Sequence, residues 1–459
     1  MKTRISLDQF RKHSGLVRIL KRAWLSPRAA ENQAHLFSTC AERLATVLPA
    51  GNKDVIGFYV PGRVEILGKH TDYAGGRSLT ATVERGFSII AQPRDDSGIS
   101  ILSSDQEAND FEIGPELGCP LGHWSNYPRT VAKRLAQNFS GPLQGANIAF
   151  ESNLPKAAGL SSSSALIVAV YLVLAEINGI PDRRQYGENI ASTIDLAGYL
   201  GTIENGQSFG SLQGEKGVGT FGGSEDHTAI LCSQPDYMGL YSYCPVVFQQ
   251  AVKLPAGTIL AFAASGVVAE KTGHALEKYN RASRLVSELI VKWNASTQRQ
   301  DVHLAAALQS RKDAINLFRK TIDISGHTEE GDTFMKRLNH FYFESEEIIP
   351  RAVAALAQGD LEEFARQVDH SQEIAAALLG NQIPETIFLA GAARECGAIA
   401  ASAFGAGFGG SVWALIEENA SDKFLKDWSE KYKDAFPQHA GNNAFFTSAP
   451  GPAAFRLNN

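Results

Sequence analysis

The chain has 459 residues, of which 44% are hydrophobic and 20% charged, and this length and composition fit a folded protein of two domains rather than a disordered one. Its 43 basic and 49 acidic residues give a net charge of −6, and no dense run of Lys or Arg occurs. This charge balance argues against nucleic acid or an anionic membrane surface as the main partner. A small anionic ligand could still be held by a few local cations.

Cysteine usage and the apolar segments restrict the class of protein further. The five cysteines are scattered and odd in number, without a Cys-x-x-Cys pair, which argues against a disulfide framework and a zinc site. The N-terminus lacks the apolar run of a signal peptide. The longest apolar stretch, residues 165–175, is well short of the roughly 18 residues that span a bilayer. We therefore expect a cytoplasmic protein without a membrane segment, either a monomer or a weak dimer.

The pattern of apolar residues in the first half of the chain changes near residue 54. Residues 1–50 are predicted to form an N-terminal helical extension, because apolar side chains recur there at helical spacing among many basic ones. Short apolar and β-branched runs separated by glycine-rich turns follow, which is typical of strands in an α+β protein. A helix is predicted to begin near Ser163 and to end before Gly179, and the glycine-rich residues 205–224 predict a long loop. The predicted strands are 56–60, 64–67, 87–91, 99–102 and 146–150.

The second half is predicted to be mostly helical. A strand is expected over residues 258–264, and two more, 399–404 and 411–416, are expected on either side of a glycine-rich turn. We place the domain boundary near residue 250, which gives one domain of residues 51–250 and a second of residues 251–459. The helices predicted from apolar spacing are 276–293, 303–320, 334–356 and 361–379.

The strongest functional signal is a loop of glycine and small residues that enters an apolar helix through four serines, Leu154-Pro-Lys-Ala-Ala-Gly-Leu-Ser-Ser-Ser-Ser-Ala-Leu166. Backbone N–H groups converge in such a loop, and the helix N-terminus adds partial positive charge. Together they predict a phosphate cradle, and a serine in the first turn can ligate Mg²⁺. The structural alternative is a serine-rich helix cap. The segment is neither a Walker A loop nor a Gly-x-Gly-x-x-Gly motif.

Two further segments carry unusual composition. In Pro61–Tyr73, five polar or charged side chains crowd a short strand and turn, which suits either a solvated loop or a site for a hydroxyl-rich ligand. The run Phe404-Gly-Ala-Gly-Phe-Gly-Gly-Ser-Val412 is by itself weak evidence, since it also suits a tight turn between strands. The five side chains singled out in the first of these segments are Arg63, Lys69, His70, Asp72 and Tyr73.

These three segments, in this order, resemble the motifs of the GHMP kinase superfamily, which contains galactokinase, homoserine, mevalonate and phosphomevalonate kinases. Within it the sequence is most similar to the galactokinases. The Pro61–Tyr73 segment follows their signature, His123-Trp-Ser-Asn-Tyr127 resembles their Trp-x-Asn-Tyr segment, and Phe404–Ser411 matches their glycine loop. The resemblance extends from about residue 55 to residue 440, and residues 1–50 lie outside it.

The resemblance implies a fold and an activity. The fold would be an α+β, two-domain GHMP kinase, with an N-terminal domain like ribosomal protein S5 domain 2 and a C-terminal ferredoxin-like domain. ATP and a monosaccharide would bind between them. The activity would be Mg²⁺- and ATP-dependent phosphorylation of the anomeric hydroxyl of a sugar, with galactose the leading substrate.

The resemblance also assigns residues to roles. Asp226, with Glu225 as its rival one position away, would be the catalytic base, and Arg63 would neutralise the transferring phosphoryl group and orient Asp226. Ser163 and Glu204 would hold the magnesium ion. The sugar would be bound by Lys69, His70, Asp72 and Gly223, and ATP by Trp124, Gly159, Leu160, Ser161, Ser162, Ser163 and Ser164.

Two residues depart from the galactokinase signature. Glu65 replaces Asn, and Lys69 replaces a Glu that accepts a hydrogen bond from a sugar hydroxyl, so both the charge and the hydrogen-bonding sense are reversed there. Lys69 could meet the carboxylate of a hexuronic acid or an oxygen of another aldose, and would then be the specificity residue. Alternatively, Glu65 pairs with Lys69 and leaves the sugar pocket nearly normal. A non-catalytic sugar sensor and a kinase for a non-sugar alcohol are the remaining alternatives.

Overall fold

The computed structural model describes residues 5–48, 54–156, 158–267, 273–323 and 328–458, and within them two β-sheets carry helices on their faces. The strands, in chain order, are β1 (Ile5–Ser6), β2 (Asp54–Leu67), β3 (Arg77–Pro93), β4 (Gly98–Leu102), β5 (Asn109–Glu112), β6 (Ala146–Ser152), β7 (Tyr237–Ser242), β8 (Val247–Lys253), β9 (Thr258–Ala264), β10 (Ala400–Phe404), β11 (Ser411–Glu417), β12 (Ala444–Ser448) and β13 (Phe455–Arg456).

The helices surround the sheets and form most of the second half of the chain. In chain order they are α1 (Leu7–Phe10), α2 (His13–Arg22), α3 (Pro27–Val47), α4 (Asn126–Asn138), α5 (Ser162–Ile177), α6 (Arg184–Asn189), α7 (Thr193–Asn205), α8 (Glu225–Cys232), α9 (Gly273–Thr297), α10 (Leu304–Gln309), α11 (Ala314–Asp323), α12 (Glu329–Tyr342), α13 (Ile349–Gln358), α14 (Leu361–Ile374), α15 (Pro384–Glu395) and α16 (Ser421–Ala435).

The first sheet has the strand order β1-β2-β3-β6-β4-β5, with β7 and β8 extending it from β3 and β13 pairing with β2. Its pairs are antiparallel except for β4 with β6. The long strand β2 stays continuous through Pro61 because the register shifts between Pro61 and Arg63, and a bulge is where a sheet tolerates proline. The two separate strands predicted over 56–60 and 64–67 are therefore one.

The second sheet is antiparallel with the order β10-β11-β9-β12, and α15 and α16 pack against it. The two sheets confirm the predicted two-domain α+β fold. The predicted boundary at residue 250 needs correction, because it falls inside β8, which pairs with β7 of the first sheet. The change of sheet occurs between Lys253 and Thr258, and β13 returns the chain to the first sheet.

Helices cover both faces of the first sheet. The helix α5 is apolar on all sides, which is typical of a buried helix, and it packs on β2 and β3. On the opposite face, α2 and α3 bury Phe37 and Leu20 against Tyr59 and Ile90 of the sheet. The predicted helical extension of residues 1–50, as far as Ile5–Leu48 describes it, is therefore part of the core of the first domain.

The predicted helices of the second half differ from the observed ones in their continuity. The predicted helix 303–320 is interrupted between α10 and α11. The predicted helices 334–356 and 361–379 each contain a stretch of π-helix, Phe343–Ile348 and Ala375–Leu379, that apolar spacing does not reveal. Across the described ranges, no helix is long and apolar enough to cross a membrane.

Candidate active site

Arg63 and Asp226 form the centre of the site. Arg63 lies just after the bulge of β2 and is 4% exposed, and its Nε and Nη2 atoms both lie 2.6 Å from Asp226 Oδ1. Its Nη1 donates to the carbonyl oxygen of Gly159 at 2.6 Å. Burial alone would lower the pKa of Arg63, but the carboxylates of Asp226 and Glu225 outweigh it and raise that pKa. Arg63 therefore stays charged and joins the serine-rich loop to Asp226.

Glu225, the rival carboxylate, is placed differently. Its Oε1 lies 3.7 Å from Arg63 Nε, beyond hydrogen-bonding distance, while its backbone N–H donates to Asp72 Oδ2 at 3.2 Å. Both acidic residues lie in the first turn of α8, whose N-terminus stabilises negative charge. The direct contact with Arg63 thus distinguishes Asp226 from Glu225.

The serine that contacts the acidic residues is Ser164. Its hydroxyl lies 2.9 Å from Glu204 Oε2 and 3.1 Å from Asp226 Oδ2. The resemblance assigns Ser163 and Glu204 to the magnesium ion. In the structure Ser164 is the serine beside Glu204, whereas Ser163, one position earlier, lines a separate cavity together with Ser162. One residue of a helix turns a side chain by about 100°, which is why a run of four serines does not reveal the inward one.

The serine-rich loop has the backbone of an anion cradle. Gly159 has φ +72° and Ser161 has φ 55°, both in the left-handed region, immediately before α5 begins. The carbonyl oxygen of Leu160 accepts a hydrogen bond from the backbone N–H of Arg63 at 3.2 Å. On the other side, Ser411 Oγ donates to the carbonyl oxygen of Ala158 at 2.6 Å. The glycine loop 405–410 and the serine-rich loop are therefore packed together, as expected for two parts of one site.

An aromatic cavity of about 220 Å³ opens beside the serine-rich loop. Trp124, Tyr127, Phe87 and Phe150 contribute flat faces to it, and Ser162 and Ser163 lie at its edge. Its aromatic walls suit a planar base, and the edge with the serines suits the phosphates that follow. Trp124, which the resemblance assigns to the nucleotide site, is thus one of the walls of this cavity.

A second, strongly polar cavity lies on the other side of Arg63. Asp72 contributes a carboxylate held by the N–H of Tyr73 at 2.8 Å, and Gly223 is needed beside it, since a Cβ there would lie 2.5 Å from Asp72 Oδ2. The described lining residues are Arg63, Glu65, His70, Asp72, Glu204, Gly222, Gly223, Glu225, Asp226, Tyr279, Gly405 and Ala406. Three of the four residues predicted to bind the sugar, His70, Asp72 and Gly223, thus share one cavity.

His70 is held in place by the chain itself. Its Nε2 donates to the carbonyl oxygen of Ala406 at 3.0 Å, and its Nδ1 lies 3.0 Å from the hydroxyl of Tyr73. Its φ of 57° turns the backbone sharply, and its ring lies 5.1 Å from that of Tyr279. His70 therefore joins the glycine loop of the second domain to the polar cavity.

Lys69 does not line the polar cavity. Its side chain is fully buried, and Nζ donates to the hydroxyls of Ser371 at 3.0 Å and Ser402 at 2.9 Å, both in the second domain. This placement contradicts the prediction that Lys69 contacts the sugar, and with it the hexuronic acid hypothesis. Lys69 attracts Glu65 and lowers its pKa against the larger effect of burial, but the two make no direct ion pair.

Tyr279 is a cavity residue that the sequence did not reveal. It belongs to α9, in a stretch whose only signal is helical spacing, and it reaches the cavity because α9 packs over His70. The hydroxyl of Tyr279 would lie 2.6 Å from a Cβ at Gly222, so that glycine makes room for it. Neither residue stands in a recognisable motif with the other.

Three family models match the chain in order. They are the galactokinase galactose-binding signature over residues 50–93, the GHMP kinases N terminal domain over 126–206 and the GHMP kinases C terminal over 352–434. The chain thus carries both GHMP kinase domains together with the galactose-binding signature of the galactokinases. Each of the three matched ranges contributes to the core or the site described above.

Curated relatives are similar over most of the chain, and a solved structure shares its fold. A galactokinase of Lactobacillus helveticus is 26% identical over 392 residues, covering 83% of this chain and 90% of the relative. One of Roseiflexus sp. is 27% identical over 381 residues, covering 82% and 87%. The crystal structure of Lactococcus lactis galactokinase complexed with galactose superposes with a TM-score of 0.76 at 21% identity, covering 92% of this chain and 99% of that one.

Proposed function

We propose that this GHMP kinase transfers the γ-phosphoryl group of ATP to the anomeric hydroxyl of galactose, giving galactose 1-phosphate and ADP. The observation that carries the proposal is the Arg63–Asp226 contact at 2.6 Å, which lies between the serine-rich loop and the polar cavity. The galactokinases among its relatives support galactose as the acceptor. A sugar in the polar cavity and a nucleotide in the aromatic cavity would meet at this pair.

The residues of the chain divide the chemistry between them. Asp226 accepts the proton of the anomeric hydroxyl as its oxygen forms the new bond to phosphorus. The bond between the γ-phosphorus and the bridging oxygen breaks, and ADP leaves with that oxygen. Arg63 holds Asp226 in position beside the hydroxyl, and its positive charge offsets the charge on the transferring group.

The donor set fits Mg²⁺. Glu204 and Ser164 present hard oxygen atoms 2.9 Å apart beside Asp226, and Mg²⁺ is commonly bound through one or two carboxylates and substrate phosphates. Within the described ranges no group of three or more His, Cys, Asp or Glu side chains is placed to hold a metal ion by itself. We propose that Glu204 and Ser164 hold this ion, which would neutralise phosphate charge when bound.

We also propose that the enzyme works in the cytoplasm as a monomer. ATP is available there, and all five cysteines are free thiols, as a reducing compartment requires. The two cavities and the Arg63–Asp226 pair are complete within one copy of the chain, so the chemistry needs no second subunit.

The test is an assay of ADP release with ATP and Mg²⁺, combined with phosphorus NMR of the product. Galactose should give an anomeric phosphate, whereas mevalonate and galacturonate should give no product. Turnover of mevalonate but not of sugars would contradict the proposal. ATP binding without turnover of any sugar would contradict it as well, and would favour the non-catalytic sensor.

A further inference from the structure

The polar cavity holds more carboxyl groups than its basic residues can balance. Five acidic side chains line it, and Arg63 is the one permanent cation among its described lining residues. Three of the five receive hydrogen bonds from the chain: Asp72 from backbone N–H groups, Glu204 from hydroxyls, and Asp226 from Arg63. The other two are Glu65 and Glu225, and they differ from these three.

One oxygen of Glu65 lacks a donor, although Lys69 and Arg63 both attract this carboxyl group. It is two residues after Arg63 in β2, so its side chain points to the same face of the strand. It is 3% exposed, and no N–H or O–H of the described residues lies within hydrogen-bonding distance of its Oε1. A buried carboxyl oxygen without a donor is unfavourable by about 1–3 kcal/mol, so its retention requires a reason.

Glu225 is in the same situation from the opposite wall. It is 4% exposed, its Oε1 has no hydrogen-bond donor among the described residues, and Arg63, the nearest cation, stands 3.7 Å away. Burial and the nearby charge of Glu65 raise the pKa of Glu225, so the two carboxyl groups are close enough to repel each other. Two carboxyl groups, each with one oxygen that lacks a hydrogen-bond donor, therefore line the same cavity.

The ligand that satisfies such a pair is a cation with several donors. A sugar hydroxyl offers one hydrogen and no charge, so it would leave the repulsion between the two carboxyl groups in place. A primary ammonium offers three N–H donors and one positive charge. A carboxylate substrate would add a further negative charge, in agreement with the position of Lys69 away from the cavity.

We propose that Glu65 and Glu225 are specificity residues that bind a primary ammonium group, and that the preferred acceptor of this kinase is therefore an amino-substituted hexose such as galactosamine. This inference rests on the proposed function, since it concerns the sugar held in the same cavity. Asp226 and Arg63 keep the roles described above, and the ammonium is bound without taking part in phosphoryl transfer.

The first arm of the test compares kcat/KM at pH 7 for galactose, galactosamine and N-acetylgalactosamine with the full-length enzyme, ATP and Mg²⁺. Galactosamine should exceed galactose by about tenfold or more, as expected for a charge-assisted hydrogen bond that replaces a neutral one. N-acetylgalactosamine, which carries nitrogen at the same position without the charge, should not. Equal or better turnover of galactose would overturn the inference while leaving the proposed function intact.

The second arm uses Glu65→Gln and Glu225→Gln, each of which removes charge with little change of shape. Each variant should lower the ratio of kcat/KM for galactosamine to kcat/KM for galactose by about tenfold. The value for galactose itself should change less. Glu84→Gln is the matched control, because Glu84 is a partly buried carboxyl outside the cavity that bonds Ser26, and it should keep the advantage. An advantage that survives in both cavity variants would overturn the inference.

The third arm separates this inference from the proposed function. Calorimetric titration of the enzyme with galactosamine and galactose, without nucleotide, measures recognition whether or not phosphoryl transfer occurs. Tighter galactosamine binding that Glu65→Gln abolishes, in an enzyme that turns over no sugar, would support the ammonium site and contradict the kinase activity. Equal affinity for the two sugars would overturn the ammonium site.

Discussion

At the scale of single residues, the site depends on the shape of Arg63. Its guanidinium contacts Asp226 through two nitrogens and the carbonyl oxygen of Gly159 through the third. A lysine ammonium is a point charge and cannot bridge both partners in this fixed fork geometry. The residue therefore sets the position of the base relative to the phosphate cradle as well as the local charge.

We expect Arg63→Lys to lower kcat for galactose about 10²–10³-fold, because charge is kept but the orientation of Asp226 is lost. The sugar KM should change much less. Initial-rate measurements of ADP release provide the test. Arg366→Lys is the control, since Arg366 is an exposed arginine on α14 that pairs with Glu362 and Glu363. Equal losses in both variants, or a normal kcat in Arg63→Lys, would contradict the assigned role.

Glu65 predicts a pH dependence of stability. Burial raises the pKa of Glu65 from 4.5 to about 7, so the folded protein holds a proton that the unfolded chain releases. The contribution of this bound proton to the unfolding free energy is full below pH 4.5 and is lost as the pH rises through about 7. Relative to Glu65→Gln, the wild-type protein should therefore lose about 3 kcal/mol of unfolding free energy across this range. Urea unfolding of both proteins at several pH values measures this, and a constant difference would contradict it.

At the same scale, the sequence predicted residue types better than side-chain directions. Arg63, Asp226, Asp72 and Gly223 come together as their motifs suggested. The sequence could not place the side chain of Lys69, because a residue at the end of a strand can face either the cavity or the neighbouring domain. The hydroxyls that accept its hydrogen bonds lie 302 and 333 residues away along the chain.

At the scale of elements, the N-terminal helices complete the core of the first domain. The ring of Phe10 lies over Gly57 of β2, where a Cβ would come within 2.6 Å of it, and Phe37 is fully buried on α3. A basic helical extension could either pack on its own domain or bind a partner, and the contacts favour packing. The sequence alone could not distinguish these roles, because apolar spacing predicts that one face of a helix is buried but not which surface it packs against.

We expect Phe37→Ala to lower the free energy of unfolding by about 3–5 kcal/mol, through lost burial and the cavity left behind. The KM values for ATP and sugar should stay within about twofold, because the site lies on the other face of the sheet. Thermal and urea unfolding measure the effect. His35→Ala, at an exposed position of the same helix, is the control. A large change in KM with normal stability would contradict a packing role.

Lys69 links the end of β2 to α14 and β10. Its ammonium shares Ser371 with Glu344, whose carboxylate also accepts the N–H of Gly68 at 2.8 Å. Loss of that ammonium would remove the larger of the two positive charges that attract the buried Glu65 and would leave only Arg63. The lysine therefore belongs to the contact between the two domains.

Lys69→Met should accordingly lower the free energy of unfolding by about 3–5 kcal/mol, as expected when one member of a buried charged network is removed. Galactose should remain a substrate of the variant, and galacturonate should give no product with either protein. Unfolding curves and the two rates measure both expectations, and Lys336→Met, at an exposed lysine of α12, is the control. A shift toward galacturonate in the wild-type protein that the substitution abolishes would restore Lys69 as a specificity residue.

At the scale of the whole molecule, the site exists only where the two domains meet. The first domain supplies Arg63, Asp226 and the serine-rich loop, and the second supplies the glycine loop and Tyr279. The order of motifs in the sequence predicted this division and the two-domain α+β fold. The boundary was placed too early because six of the seven residues of β8 are exposed, so the strand lacks the apolar alternation that would mark it as part of the first sheet.

The central claim is that Asp226 is the base of an anomeric sugar kinase, and one variant tests it most directly. ADP release should be measured with galactose and galactosamine for the wild-type enzyme and for Asp226→Asn, which keeps shape and removes the proton acceptor. We predict that kcat falls about 10²–10⁴-fold for both sugars, with sugar affinity retained by calorimetry. Wild-type-like turnover by Asp226→Asn would contradict the account.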